Sequence, residues 1–207
     1  MKKLRILIAD DHAIVRFGIS ALINSTADME VVAMASNGEE AVETACRLAP
    51  DIVIMDLMMP KKDGVAATRE IKETLPETKI LMLTTFSISD GIAAALKAGA
   101  SGVMLKSAEN DELISALRRI AATNESVISD EVANLLCCDP PLPPLSHRQL
   151  QILEEMAKGR SSKEIADKLK LQKDSVDKYV RNLMRKVNAA SRTEAVAIAL
   201  KKRLLEI

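Results

Sequence analysis

The sequence predicts an α/β domain built on a doubly wound, five-stranded parallel sheet, followed by a small all-α domain. Within the first 122 residues, short apolar runs alternate with amphipathic stretches. After a proline-rich segment at residues 137–144, only helical patterns remain. The charge balance also changes sign between the two parts of the chain.

Five short apolar runs predict the strands. At least three of them are continuously apolar, as is typical of strands that are covered on both faces. The predicted strands are Leu4–Ala9, Glu30–Ala35, Ile52–Met55, Lys79–Leu83 and Gly102–Leu105.

Amphipathic stretches between and after these runs predict helices that cover the sheet. Their apolar faces are Val15, Ile19, Leu22 and Ile23; Ala41, Val42, Ala45 and Leu48; Ile88, Ile92, Ala95 and Leu96; and Leu113, Leu117, Ile120 and Ala121. Repeated β-then-α units predict a parallel sheet wound on both faces. Ligands of such sheets bind outside the carboxyl ends of the strands.

The sequence divides into three segments. Residues 1–122 form the α/β domain, residues 123–144 a connecting helix and a stiff linker, and residues 145–207 the helical domain. Four of the seven prolines lie in residues 137–144, where fixed φ angles favour extended chain. Two capping-box patterns, at Ser146–Gln149 and Ser161–Glu164, predict helix starts after the linker.

Charge is distributed unevenly although the whole chain is neutral. Residues 1–144 carry 14 basic and 21 acidic side chains, a net charge of −7, and residues 145–207 carry 15 and 8, a net of +7. A basic domain joined to an acidic one indicates a polyanionic partner for the second part. The alternative is a chance imbalance of solvated charges.

Composition excludes several classes of protein. No apolar run approaches the ~20 residues that span a bilayer, so we expect no membrane association. Only six apolar residues precede the first acidic pair, which argues against a signal peptide. Three cysteines favour a reducing, cytoplasmic location over a disulfide framework. The scarcity of aromatic residues argues against stacking platforms for single-stranded nucleic acid.

Polar residues follow or end four of the five predicted strands. They are Asp10 and Asp11 after the first, Asp56 after the third, Thr84 after the fourth and Lys106 after the fifth. Clustered carboxylates require a compensating cation, and Mg²⁺ prefers carboxylate and phosphate oxygens. Lys106 and Thr84 can meet phosphoryl oxygens, and Asp56 is the best candidate for a phosphoryl acceptor. Any one of the aspartates could instead cap a turn or a helix.

Residues 1 to about 122 resemble the receiver domain of two-component response regulators. The resemblance is carried by Asp10-Asp11, Asp56-Leu57-Met58-Met59-Pro60 with Asp63-Gly64, Leu83-Thr84-Thr85, and the stretch from Gly99 to Lys106. It implies that Asp56 accepts a phosphoryl group from the phosphohistidine of a sensor histidine kinase. It also implies that Asp11, Asp56 and the Met58 carbonyl bind Mg²⁺ with help from Asp10, and that Thr84 and Lys106 contact the phosphoryl group.

One position departs from the receiver pattern. Three residues before Lys106, where receivers usually have Tyr or Phe, this chain has Val103. In the receivers that this chain resembles, that aromatic ring swings inward on activation. A valine can move only a small branched group, so we expect this readout to be missing or replaced.

The basic segment shows the pattern of a helix-turn-helix. Val176, Val180, Leu183 and Val187 form one apolar stripe. The opposite face carries Lys178, Arg181 and Arg185, beside Asp174 and Asp177. Two short helices with a basic face on the second fit a motif whose second helix enters the major groove. A small helical bundle with solvated lysines is the alternative.

The same segment closely resembles the LuxR-type helix-turn-helix. The resemblance is carried by Leu145–Gln149, Ala157–Gly159, Ser162–Ala166, Ser175-Val176, Leu183–Val187 and Arg192–Ala195. A receiver with this output domain is identified as a member of the NarL/FixJ class. That resemblance implies phosphorylation-controlled binding to double-stranded DNA and a homodimer on activation. It also implies DNA contacts from Ser175, Asp177, Lys178, Arg181 and Arg185.

Two residues depart from the LuxR-type pattern. Gln172 stands where a capping Ser is usual, and Asp177 where Lys is usual. An acidic side chain near phosphates weakens nonspecific binding. One alternative is therefore a regulator that acts through protein contacts, its helical domain having lost DNA affinity. Another is a phosphotransferase or phosphatase, but no second carboxylate follows in Asp56-Leu57-Met58, so we expect no independent enzyme activity.

Overall fold

The computed structural model describes residues 3–85, 89–123, 126–202 and 204–205. The chain divides into two compact units, Met1–Pro140 and Pro141–Ile207. No helix among the described residues combines the length and the apolar character needed to cross a membrane.

The first unit is a parallel sheet with helices on both faces. Its strands are β1 (Leu4–Ala9), β2 (Met29–Ala35), β3 (Ile52–Asp56), β4 (Lys79–Thr84), β5 (Gly102–Leu105) and β6 (Val127–Ile128). Its helices are α1 (Ala13–Asn24), α2 (Gly38–Leu48), α3 (Gly64–Thr74), α4 (Ser89–Lys97), α5 (Asn110–Ala122) and α6 (Asp130–Cys138). The strand order is β2-β1-β3-β4-β5-β6, which confirms the doubly wound parallel sheet.

The prediction of five strands was one strand short. The two-residue strand β6 pairs in parallel with β5 and extends the sheet at that edge. The Val127 N–H donates to the Ser101 carbonyl at 2.9 Å, and the Ser129 N–H donates to the Val103 carbonyl at 3.3 Å. Two residues are too few to produce an alternating or continuous apolar pattern, so no periodicity indicates this strand.

Two apolar layers cover the faces of the sheet. One face packs against α2, α3, α4 and α6, and the other packs against α1 and α5. Val103 and Val132 belong to the same buried cluster, so α6 packs over the side of β5 that Val103 faces. The Ser89 hydroxyl lies 3.2 Å from the Asp139 carboxylate, which links the start of α4 to the residue after α6. Ile88, predicted on the apolar face of α4, lies outside the described residues.

The second unit contains four helices among its described residues. They are α7 (His147–Ala157), α8 (Ser162–Leu169), α9 (Lys173–Lys186) and α10 (Arg192–Lys201). Both predicted capping boxes are confirmed, with Ser146 and Gln149 at α7 and Ser161 and Glu164 at α8. The chain reverses after α7 through Gly159, whose φ of 76° favours glycine.

A three-residue connection, residues 170–172, joins α8 to α9 and makes the turn of a helix-turn-helix. Gln172 precedes α9 and forms no side-chain capping bond, as its residue type predicts. The apolar stripe of α9 is confirmed, because Val176, Val180, Leu183 and Val187 are all buried in the core of this unit.

Candidate functional site

The carboxyl ends of β1, β3 and β5 bring three charged side chains into contact. Asp10 follows β1, Asp56 is the last residue of β3, and Lys106 follows β5. The Lys106 Nζ lies 2.6 Å from Asp10 Oδ2 and 2.7 Å from Asp56 Oδ2. Side-chain exposure is only 3% for Asp10, 5% for Asp56 and 10% for Lys106. The geometry is therefore that of a buried lysine shared between two carboxylates.

Burial and pairing oppose each other at this cluster. Burial raises the pKa of the Asp56 carboxyl, and the hydrogen bond and charge of Lys106 offset only part of that rise. Burial also favours the neutral amine of Lys106, but its hydrogen bonds to Asp10 and Asp56 outweigh this and raise its pKa. Lys106 therefore remains a cation in the pocket and supplies a single positive charge to two carboxylates.

Asp11 and His12 form the exposed rim of the same pocket. The Asp11 side chain is 34% exposed, and the His12 Nδ1 lies 2.7 Å from Asp11 Oδ1 and 3.4 Å from Asp10 Oδ1. Ligand atoms of Asp10, Asp11, His12 and Asp56 all lie within 4.8 Å of one another. This cluster is compact enough to hold a metal ion.

The loop after β3 is fixed closely against Asp56. The Met58 N–H approaches Asp56 Oδ1 at 3.5 Å, and the Gly64 N–H donates to the Leu57 carbonyl at 3.0 Å. A Cβ on Gly64 would lie 2.0 Å from the Asp56 carbonyl oxygen, so any larger residue would displace the strand end. Asp63 then caps α3 by accepting from the Ala66 N–H at 2.7 Å.

Thr84 lies at the same edge of the sheet, as its place at the end of β4 predicts. The residue is 1% exposed, and its carbonyl accepts from the Lys106 N–H at 2.8 Å. The structure thus brings Asp10, Asp11, Asp56 and Lys106 into one cluster and places Thr84 next to the strand end that carries Lys106.

Sequence reasoning missed one residue that supports the pocket. The Arg16 Nη1 donates to the Asp10 carbonyl at 2.5 Å, from the first turn of α1. An arginine on a helix that follows the acidic pair has no distinctive spacing, because most such arginines are solvated. The His12 side chain, at the rim of the pocket, is 69% exposed.

The predicted DNA-contacting residues lie on the outer side of α9. Lys178, Arg181 and Arg185 are exposed, and Ser175 and Asp177 are partly buried. The Lys173 Nζ lies 3.8 Å from Asp177 Oδ2. An open groove of about 580 Å³ runs along this surface and is lined by Asp174, Asp177, Lys178, Val180, Arg181, Met184 and Arg192. The groove therefore combines three basic side chains, those of Lys178, Arg181 and Arg192, with two acids and two apolar residues.

Comparison with known protein families identifies both units. Residues 6–118 match the model for the response regulator receiver domain. Residues 143–199 match the model for bacterial regulatory proteins of the luxR family. Together the two matches cover most of the chain.

Individual relatives share both parts. The oxygen regulatory protein NreC of Staphylococcus epidermidis is 40% identical over 217 residues, covering 98% of this chain and all of that protein. NreC of Staphylococcus carnosus is 39% identical over 216 residues, with 98% and 100% covered.

Solved structures agree with these matches. The response regulator ChrA of a heme-sensing two-component system has 31% identity and a TM-score of 0.59, covering 99% of this chain and all of that one. The RcsB response regulator of Salmonella typhimurium has 25% identity and a TM-score of 0.73, with 94% and 98% covered. The chain belongs to the two-component response regulators of the NarL/FixJ class, which join a receiver domain to a LuxR-type DNA-binding domain.

Proposed function

We propose that Asp56 accepts a phosphoryl group from the phosphohistidine of a sensor histidine kinase, and that this modification changes DNA binding by residues 145–207 and hence transcription in the cytoplasm. The observation that carries the proposal is the contact of Lys106 Nζ with Asp56 Oδ2, at 2.7 Å, beside the carboxylates of Asp10 and Asp11. A carboxylate with a cation next to it and a candidate metal site beside it is suited to phosphoryl transfer.

Mg²⁺ is the cofactor that the donor set fits. The cluster offers carboxylate oxygens, which hard divalent cations prefer, and Asp11 is open to solvent so that the ion can keep water ligands. We assign the ion to Asp11, Asp56 and the Met58 carbonyl, with Asp10 acting through a water molecule. When bound, Mg²⁺ supplies positive charge to the phosphoryl oxygens.

The residues of the pocket account for the transfer step. A carboxylate oxygen of Asp56 attacks the phosphorus, an O–P bond forms, and the N–P bond of the phosphohistidine breaks with its electron pair returning to the imidazole. Lys106 exchanges its contact with Asp56 for a phosphoryl oxygen, and the Thr84 hydroxyl donates to another. The protein is thus its own substrate, and we propose no independent enzyme activity.

DNA binding follows from the helical unit. We assign the contacts to Ser175, Asp177, Lys178, Arg181 and Arg185 on α9, because the second helix of the motif enters the major groove. Since paired modules read two-fold DNA sites, we also propose that activation produces a homodimer. The alternative of a regulator acting through protein contacts has only Gln172 and Asp177 in its favour, and both are compatible with DNA binding.

The first experiment tests Asp56 with a labelled small phosphodonor such as acetyl phosphate. Wild type should incorporate label in Mg²⁺ and lose incorporation in EDTA. Asp56→Asn should incorporate none, because the amide is a poor nucleophile. Asp63→Asn is the matched control and should still incorporate label. Asp63 lies seven residues after Asp56, and asparagine can also cap α3. Normal labelling of Asp56→Asn would show that the acceptor lies elsewhere.

A further inference from the structure

The charges of α9 are arranged unevenly along the helix. Both of its acids, Asp174 and Asp177, lie in the first five residues, whereas Arg181 and Arg185 lie in the later turns. Phosphates attract cations and repel carboxylates, so a helix that bound only the DNA backbone would gain nothing from acids at either end. Asp174 lies in the first turn, where the helix dipole favours an acid, so Asp177 is the residue that needs a separate explanation.

The structure places Asp177 where it can reach bases. In a helix-turn-helix, the N-terminal residues of the second helix contact base edges in the major groove. Asp177 is the fifth residue of α9 and lines the open groove together with Lys178 and Arg181. Its side chain is 39% exposed, and Lys173 approaches it only at 3.8 Å, beyond hydrogen-bond distance. The carboxylate thus keeps acceptor capacity for a ligand.

The chemistry of the major groove selects the base. An ionised carboxylate only accepts hydrogen bonds. Guanine presents two acceptors there and thymine presents one, so both repel it. Adenine has an amino donor but places the N7 acceptor beside it. Cytosine offers its N4 amino group without a neighbouring acceptor on the same base.

We propose that Asp177 is a specificity-determining residue that accepts a hydrogen bond from the N4 amino group of a cytosine in each DNA half-site. The proposal rests on the DNA-binding function proposed above. Arg181 lies four residues further along α9 and therefore on the same side of the helix as Asp177. Its guanidinium matches guanine, so a G·C pair next to the cytosine read by Asp177 fits both side chains.

The test is selection of bound sequences from a random duplex library, using the full-length chain treated with acetyl phosphate and Mg²⁺. Wild type should select a cytosine at one position of each half-site. Asp177→Ala should lose that preference, and Asp177→Asn should change it to adenine, because an amide pairs with adenine N6 and N7. Titrations on single-base variants of the selected site should show discrimination of about 5- to 150-fold in wild type and less than about 2-fold in Asp177→Ala.

The control is Asp167→Asn, which removes the same charge from the exposed surface of α8. It should leave the selected sequence unchanged. The proposal is overturned if both Asp177 variants select the wild-type sequence, or if Asp167→Asn changes the same position. If wild type selected no common sequence, both this proposal and the proposed DNA-binding function would be overturned. If wild type selected a clear consensus that the Asp177 variants also selected, only this proposal would be overturned.

Discussion

Lys106 lies at the place in the pocket where the phosphoryl transfer proposed above would need positive charge. In the unmodified protein it pairs with Asp10 and Asp56 at 2.6 and 2.7 Å, and all three side chains are almost fully buried. Removing one partner of a buried ion pair leaves an uncompensated charge. The lysine therefore has a structural role before phosphorylation as well as the chemical one proposed for it.

Lys106→Met should destabilise the receiver by about 3 kcal/mol or more, because two buried carboxylates lose their cation. Mg²⁺ should raise the melting temperature of this variant more than that of wild type, since the ion replaces the missing charge. Thermal unfolding with and without Mg²⁺ measures both effects. Lys62→Met, which removes a lysine paired with the more exposed Glu70, is the control and should change little. A Lys106→Met protein as stable as wild type, with the same response to Mg²⁺, would contradict this role.

Much of this pocket could be predicted from the sequence, and the reason is topological. Parallel strands end at one edge of the sheet, so Asp10, Asp56 and Lys106 were expected at that same edge once their strands were recognised. The support that Arg16 gives to the Asp10 carbonyl could not be predicted, because it depends on the angle at which α1 leaves the pocket. The rise in the Asp56 pKa likewise depends on burial that no residue pattern reports.

At the scale of the elements, the start of α3 is tightly constrained by the end of β3. Gly64→Ala should cost several kcal/mol, at the upper end for single substitutions, because its Cβ would meet the Asp56 carbonyl oxygen at 2.0 Å. It should also slow phosphorylation, since the end of β3 must shift. Gly18→Ala is the matched control, because a Cβ there would meet no atom within 4 Å outside its own helix backbone and chain neighbours, and alanine favours helix by about 0.5–1 kcal/mol. Chemical denaturation and labelling of both variants check the pair, and equal stability of the two would refute the close contact.

Helix α6 packs beside the valine at position 103. Val103 is 1% exposed and shares its buried cluster with Val132, Leu135 and Leu136 of α6. The side of β5 that carries an aromatic ring in most receivers is thus covered by a helix in this chain. The expectation of a missing or replaced readout stays a prediction.

Val103→Tyr should therefore destabilise the receiver by about 1–3 kcal/mol instead of adding a switch, because the ring would overpack the space beside α6. Urea denaturation gives the loss of stability. Ile14→Tyr, at a side chain that is 87% exposed, adds a similar ring without packing cost and should lie within about 0.5 kcal/mol of wild type. A Val103→Tyr protein as stable as wild type would contradict the prediction and show that α6 moves aside to accept the ring.

The strands and helices that could be predicted are those whose residues follow a clear periodic or capping pattern. The first five strands and the capped helices α7 and α8 have clear patterns, and they appear within a residue or two of their expected ends. Strand β6 could not be predicted, because two residues carry no period and its place beside β5 comes from tertiary packing.

At the scale of the whole molecule, opposite charges are held on separate units. The first unit carries a net charge of −7 and the second +7. DNA therefore attracts one unit and repels the other, and the receiver should lower nonspecific affinity whatever its phosphorylation state.

A fragment of residues 141–207 should accordingly bind a random duplex more tightly than the full chain at 10 mM salt. The difference should shrink by 100 mM salt, because the Debye length falls from about 30 Å to about 10 Å. Fluorescence anisotropy titrations at both concentrations measure this. The fragment has its own apolar core and capped helices, and circular dichroism checks its folding. Equal affinity of fragment and full chain at both salt concentrations would show that the acidic unit exerts no such repulsion.

The position of β6 and α6 also sets a rule for protein engineering. A chimera that joins this receiver to a foreign output domain directly after α5 would lose the strand that pairs with β5 and the helix that covers Val103. It would then present an open sheet edge, which invites aggregation. A junction after Asp139 would keep the Ser89–Asp139 contact and place the splice among prolines that pair with nothing in the sheet. A fusion junction in that proline segment would therefore let output domains be exchanged while the contacts of β6 and α6 with the receiver are kept.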